Sequence, residues 1–312
     1  MQAVINIALP FFALIFTGYL AARGGMLGET TVAGLNTFVF YFALPALLLI
    51  KTYEAPAATG AVPELLATYY IPGILLFFAA LVMGRRLFRL RPADAAIQAL
   101  GGVFSNVGFI GLPLLILLYG SEAALPAVLI VMGDTIIMLG LATAIIEADL
   151  GSGRSRLAFL GHIGTGVIRN PIVTAGVIGV TLNLLSAPVP EPILRYGGLL
   201  ADAAGPCALF ALGATLAGRP MSEGALETGY LVVLKLIIHP ALVAIMALWV
   251  FDLPPVWASV AILQAALPIA ANVYVLAQRY ERRPERISTA IFVSTAVGVL
   301  TISLLIGRLY GS

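Results

Sequence analysis

The apolar runs constrain this chain more than any other feature. They are about 20 residues long, and ten of them follow one another with mostly short connections. A run of that length suits a helix crossing the ~30 Å hydrocarbon core of a bilayer, whereas an outer-membrane barrel would alternate in segments of ~10 residues. Composition agrees: 61% of the 312 residues are hydrophobic and 10% are charged, mean hydropathy is +1.04, and soluble domains carry roughly a quarter charged residues. The expectation is an all-α integral membrane protein embedded in lipid. Its spans are expected near 3–22, 32–51, 65–84, 96–118, 122–147, 163–185, 194–217, 227–250, 256–279 and 287–309. The opening "MQAVINIALPFFALIFTGYLAARGG" lacks the basic start and short apolar core of a cleavable signal, so it reads as a retained first helix.

Basic residues test the span count. Of the 17 Lys and Arg, 13 fall on one side: Arg23, Arg85, Arg86, Arg89, Arg91, Arg154, Arg156, Arg169, Arg219, Arg279, Arg282, Arg283 and Arg286. Lys51, Arg195 and Arg308 fall on the other, and Lys235 lies inside a span. By the positive-inside rule the larger group is cytoplasmic and both termini are outside, with the plasma membrane, the inner membrane of a bacterium, as the expected location. The net charge of +2 and the lack of a basic block give no sign of nucleic acid. A single cysteine, Cys207, excludes an internal disulfide framework and thiolate metal clusters. No metal or cofactor is expected.

The longest polar connection, Glu147 to Asn170, divides the chain into halves of five spans, 1–150 and 151–312. An odd number of spans per half makes two related halves insert upside-down to each other, the inverted-repeat plan of many secondary transporters. The layouts match. The third span carries Tyr69, Tyr70 and Pro72, and the eighth carries Lys235, His239 and Pro240; the fourth is interrupted at "SNVGFIGLP" and the ninth around Pro268 to Asn272. Interruption at corresponding places in both halves points to a midplane binding site.

Proline lacks a backbone donor and suits the first turn of a helix, so Pro113 and Pro268 are expected to open second half-helices near the bilayer centre. Two helix N-termini aimed at a common point favour an anion. Asn106 and Asn272 add amides that donate and accept. Ser105, Asn106, Gly108 and Pro113 of the first break, with Pro268 and Asn272 of the second, are therefore the candidate substrate-binding residues. Gly108 and Gly111 lie between the first Asn and its Pro.

A charge at the bilayer centre costs roughly 3 kcal/mol or more and is paired, wetted or functional. Asp134 and Lys235 are such charges, Gln98 and Gln264 are further midspan polar groups, and His239 beside Pro240 is a third coupling candidate, either a polar contact at the kink or a proton relay. Asp134 and Lys235 either lock helices together or act: Lys235 as fixed positive charge, Asp134 as a titrating group for proton coupling. Lys235 could also stand where other transporters bind Na⁺. The segregation of polar residues suggests two bodies, a transport bundle of spans 3–5 and 8–10 and a scaffold of spans 1, 2, 6 and 7.

"FALPALLL" (42–49), "SNVGFIGLPLL" (105–115), "GPCALFALGATLAG" (205–218) and "LPIAANVYVLAQRY" (267–280) resemble the auxin efflux carrier family, whose best-known members are the plant PIN-FORMED carriers. The likeness covers essentially the whole chain. It implies a fold similar to bile-acid/sodium symporters: ten helices in two inverted five-helix repeats, with helices four and nine broken and crossing at prolines. It also implies an elevator-like motion, a homodimer, and organic-anion substrates such as auxin, malonate or malate. Carried over onto this chain, the crossover positions are Asn106, Pro113, Pro268 and Asn272. The long central cytoplasmic loop of the plant carriers has no counterpart here. HExxH, GxSG and GxxxxGK[ST] motifs are absent, and the histidines number two, His162 and His239. The expectation is a secondary transporter of small organic anions that is not an enzyme, with proton coupling favoured over Na⁺. The alternative is a channel or membrane ligand sensor sharing the broken helices.

Overall fold

In the computed structural model, residues 9–56, 61–151, 165, 168–218 and 224–309 are described, and their regular elements are all helical. They are α1 (Leu9–Arg23), α2 (Glu29–Tyr53), α3 (Val62–Leu87), α4 (Pro92–Val103), α5 (107–119), α6 (124–150), α7 (Pro171–Leu184), α8 (Glu191–Ala217), α9 (Ala225–Val250), α10 (Pro255–Ala266), α11 (Ala271–Arg279) and α12 (Pro284–Leu309). Among the described residues, six stretches are long and apolar enough to cross a membrane: α2, α3, Val107–Leu150, α8, α9 and α12. Val107–Leu150 is not straight. Gly120 takes φ +61°, and α6 packs back on 107–111, so the chain reverses there. The apolar runs at 32–51, 65–84, 194–217, 227–250 and 287–309 each lie within one helix. Residues 1–8 with the start of the first run, part of the central joint with Arg154, Arg156 and His162, and Arg219 lie outside the described residues.

The fourth and ninth runs are each two helices. α4 and α10 are 12 residues long, about 18 Å at 1.5 Å per residue, too short to span alone. Both are mostly apolar and buried all round: α4 from Ala95 to Val103, α10 from Trp257 to Ala266. This is the expected fate of a helix that is hydrophobic nearly all round.

Pro113 does not open the second half of the fourth run. That half starts at 107 with a wide π-helical turn, 107–111, and Pro113 follows two residues after the turn. The same arrangement recurs in α2, with the turn 39–43 before Pro45, and in α9, with 234–238 before Pro240. A proline ring collides with the carbonyl four residues back and cannot donate to it. Widening the preceding turn accommodates both defects, so the helix runs on. Asp134 starts another π-helical turn, 134–138, and such turns gather at functional sites.

Helix α1 packs on α8, and α2 on α7 and α8. Backbones meet at the α1–α8 crossing: a Cβ on Gly213 would lie 1.8 Å from the Ile15 carbonyl oxygen, and one on Gly18 2.0 Å from that of Phe210. Small residues allow such approach where lipid offers no hydrophobic drive to association. Helices α3, α4, α9, α10 and α12 form a second packed group, in which α6 packs against α3, α4 and α10. Helices α5 and α6 also touch α8, α7 and α2.

One end of this second group is tied by charge. Glu227 of α9 accepts from Gln98 Nε2 at 2.7 Å and from both Arg283 Nη atoms at 2.6 and 2.9 Å. Arg282 lies 3.8 Å from Asp94, and Tyr280 donates to Glu147 at 3.0 Å. The bidentate geometry and the near-burial of Glu227 raise this cluster above ordinary surface pairs. Glu227→Ala strands the Gln98 amide and the Arg283 guanidinium. The expected cost is about 2 kcal/mol, read as a melting midpoint lowered by about 3 °C in detergent. An unchanged midpoint would mean the cluster is solvated and idle.

Candidate functional site

The two breaks meet and satisfy each other. Ser105 and Ile269 pair as an isolated antiparallel bridge. Asn106 N–H donates to the Pro268 carbonyl at 2.9 Å, and Ala270 N–H donates to the Phe104 carbonyl at 3.1 Å. In hydrocarbon a broken helix strands backbone groups that no water can reach; here each break supplies partners for the other. Ile269 N–H donates to Ser294 Oγ of α12 at 3.2 Å, and the Asn106 carbonyl accepts from Ile110 and Gly111 at 3.3 and 3.1 Å. A Cβ on Gly111 would lie 2.8 Å from the Leu267 side chain, so the two breaks also interlock through packing.

Pro268 lies inside its break instead of opening a helix. Leu267 before it is extended, as a residue preceding proline prefers, and so is Ala270. Extended backbone is what lets 268–270 bridge to 104–106. α11 begins at Ala271, with Asn272 in its first turn. Asn106 stands just before α5, and among the described residues neither half-helix start has a side-chain cap. Because the bridge is antiparallel, α5 and α11 leave the crossing in opposite directions.

A cavity of about 60 Å³ sits at these two starts. Ser105, Asn106, Gly108 and Asn272 line it, together with Asp134 and Thr135 of α6, Phe40 of α2 and Asn170 before α7. Pro113 and Pro268 do not line it. Pro113 instead borders a separate cleft of about 460 Å³ with Lys51 and Asp202, between α5 and helices α1, α2 and α8. A counterpart of about 680 Å³ lies between α11 and the α1, α2 and α8 side, lined by Asn36, Thr215, Tyr274 and Gln278. Phe40, Thr135 and Asn170 escaped the reading of the sequence. Asn170 carried a signal: Asn followed by Pro171 marks a helix start, and its side-chain oxygen accepts from Ile172 and Val173 N–H at 3.0 and 3.4 Å.

The buried charges flank the crossing, Asp134 on the cavity wall and Lys235 at the end of α10. Asp134, 1% exposed, accepts from Tyr70 at 3.4 Å through one carboxylate oxygen, and its other oxygen has no partner among the described residues. The Tyr70 hydroxyl also donates to the Ile130 carbonyl at 2.5 Å. Its ring lies where a Cβ on Gly133 would be, 2.4 to 2.5 Å away, so glycine makes room for it. Tyr69 donates to Ser105 at 3.3 Å, and its ring meets that of His239 edge-on at 5.5 Å. Lys235, fully buried, donates to the Ala265 carbonyl and lies 3.4 Å from His239 Nδ1. Among the described residues no ion pair within 4 Å joins Asp134 and Lys235. Tyr69 of α3 thus meets His239 of α9 beside the crossing, and His239 in turn lies against Lys235.

Membrane-length helices, two of them broken and hydrogen-bonded through their breaks around a polar cavity, are the features of a multi-pass membrane transporter. Residues 3–306 match the family described as membrane transport protein, and the chain belongs to that family, which includes auxin efflux carriers. It is 34% identical to a Rhizobium meliloti protein named "Putative malonate transporter", over 99% of this chain and 96% of that one. It is 26% identical to auxin efflux carrier component 8 of Arabidopsis thaliana, over 96% and 95% of the two chains. It is also 26% identical to the mouse lysosomal cholesterol signaling protein, over 93% of this chain and 35% of that one.

Proposed function

We propose that the protein is a secondary transporter of small organic anions, carboxylates of the malonate, malate or auxin-like kind. The observation that carries this reading is the cavity at the uncapped starts of α5 and α11, with Asn106 and Asn272 on its wall. Helix N-termini present free N–H groups and positive partial charge, and the amides can donate to a carboxylate. The names of the relatives point to the same substrate class.

In this reading the chain has ten spans in two inverted repeats, 1–150 and 151–312, with α4–α5 and α10–α11 as the broken fourth and ninth. The scaffold is α1, α2, α7 and α8; the remaining helices move against it in an elevator-like way. The clefts against α5 and α11 are then the access routes from the two sides. The same reading has the protein as a homodimer in a bacterial inner membrane with both termini outside, catalysing no covalent chemistry. Asp134 on the cavity wall makes proton coupling the natural drive: ionised, it repels an anion, and protonated, it admits one.

Uptake of labelled malonate, malate, lactate and indole-acetate into proteoliposomes tests this, with Na⁺, pH and voltage gradients imposed in turn. Saturable uptake of one acid is expected, reduced at least tenfold in Asn272→Ala by loss of about 1.4 kcal/mol or more of binding. No uptake of any acid by correctly folded protein sinks the substrate class. The similarity to a signaling protein favours a ligand sensor as second reading, and saturable binding without flux would select it; rates far above carrier turnover would select a channel.

A further inference from the structure

The hydrogen bonding of Ala265 poses a specific question. In an unbroken helix the Ile269 N–H would serve the Ala265 carbonyl. Pro268 ends the helix, and Ile269 N–H goes instead to Ser294 Oγ, so the Ala265 carbonyl is left at the C-terminal end of a half-helix. That end carries negative partial charge from the aligned peptide dipoles. The group that fills the position is Lys235 Nζ, brought in from α9 with 0% exposure.

An ammonium there is costly to bury. Its described neighbours are the Ala265 carbonyl and His239 Nδ1. Among the described residues Asp134 forms no ion pair with it within 4 Å. An ordinary helix-locking pair would place the carboxylate directly on the ammonium. Here the ammonium sits on a carbonyl exposed by a helix break, and carbonyls at half-helix C-terminal ends are where broken-helix transporters coordinate Na⁺.

We propose that Lys235 is a tethered cation: its ammonium occupies a cation site at the end of α10 and makes the fold independent of free Na⁺. A compact, positively charged group on a flexible four-carbon stem suits this task. The neighbouring half-helix end and Asp134 then see the positive charge of the ammonium, and the mobile charge of the cycle is left to Asp134. Removal of the ammonium leaves a buried carbonyl unpartnered and the Asp134 charge uncompensated, and a small monovalent cation can answer both. The proposal draws on the transport reading for what the cation serves, but the site stands on the geometry alone.

The test is thermal unfolding of purified protein in NaCl, KCl and choline chloride at equal ionic strength, without substrate. The wild type is expected to melt at the same temperature in all three. Lys235→Ala is expected to melt lower in choline and to regain about 5 °C, saturably, as Na⁺ is added. A wild type stabilised by Na⁺ over choline overturns the proposal, and so does a folded Lys235→Ala that ignores Na⁺. If Lys235→Ala yields no folded protein in any salt, Lys235→Gln, which keeps length but loses charge, is judged by the same criterion. Failure of carboxylate uptake leaves these outcomes untouched, so the two readings fall separately.

Discussion

Proteoliposomes containing Asp134→Asn are expected to lose uphill, proton-driven carboxylate uptake while keeping downhill exchange of labelled for unlabelled substrate. Asp134 shares the crossing cavity with Asn106 and Asn272. Unit charges about 4 Å apart at an effective dielectric near 20 interact by about 4 kcal/mol. An ionised Asp134 would therefore exclude a carboxylate by nearly a thousandfold, and protonation would remove the barrier. The sign follows: wild-type uptake rises as pH falls on the side from which substrate enters. An asparagine is neutral at every pH, so the variant should bind with no pH dependence and accumulate nothing above the equilibrium level. The measurement is initial uptake and counterflow at several external pH values with an imposed gradient. Accumulation by Asp134→Asn equal to wild type would remove Asp134 from the coupling, and loss of counterflow as well would assign it to binding or folding.

Gly213→Leu is expected to have the largest effect on folding. A Cβ at Gly213 would lie 1.8 Å from the Ile15 carbonyl oxygen and 2.9 Å from Tyr19 N. Backbone cannot rotate aside as a side chain can, so α1 must leave α8. Overpacking usually costs about 1–3 kcal/mol, and this case belongs beyond that range because the whole crossing is lost. The expected result is aggregated protein on size-exclusion chromatography. Gly198→Ala, on the same helix with nothing within 4 Å of its Cβ, is the control. It should be neutral or stabilising by up to about 1 kcal/mol, since alanine favours helix over glycine. Equal behaviour of the two variants would mean that α1 and α8 do not pack through their backbones.

Much of the helical layout was legible because membrane insertion is a local property. A helix must offer hydrocarbon about 20 apolar residues whatever its neighbours are, so the run at 65–84 falls within Val62–Leu87 and that at 227–250 within Ala225–Val250. The two interruptions were legible for the same reason: Ser105-Asn106 and Pro268 to Asn272 stand out against a background with few polar residues. Their detailed geometry was not. Pro113 read as the start of a half-helix, but a π-helical turn absorbs it and the half-helix starts six residues earlier. Pro268 read the same way and lies in extended backbone.

The sequence alone therefore determined a helical membrane chain, the limits of most helices and the two places where helices give way. Only the tertiary structure decided that the breaks bridge Ser105 to Ile269, that Phe40, Thr135 and Asn170 join the cavity wall, and that Lys235 serves the Ala265 carbonyl instead of contacting Asp134. The division has one physical cause. Transfer into hydrocarbon sums over neighbouring residues and can be read along the chain, whereas the partner of a stranded N–H, carbonyl or charge is whatever group lies opposite it once the helices have packed.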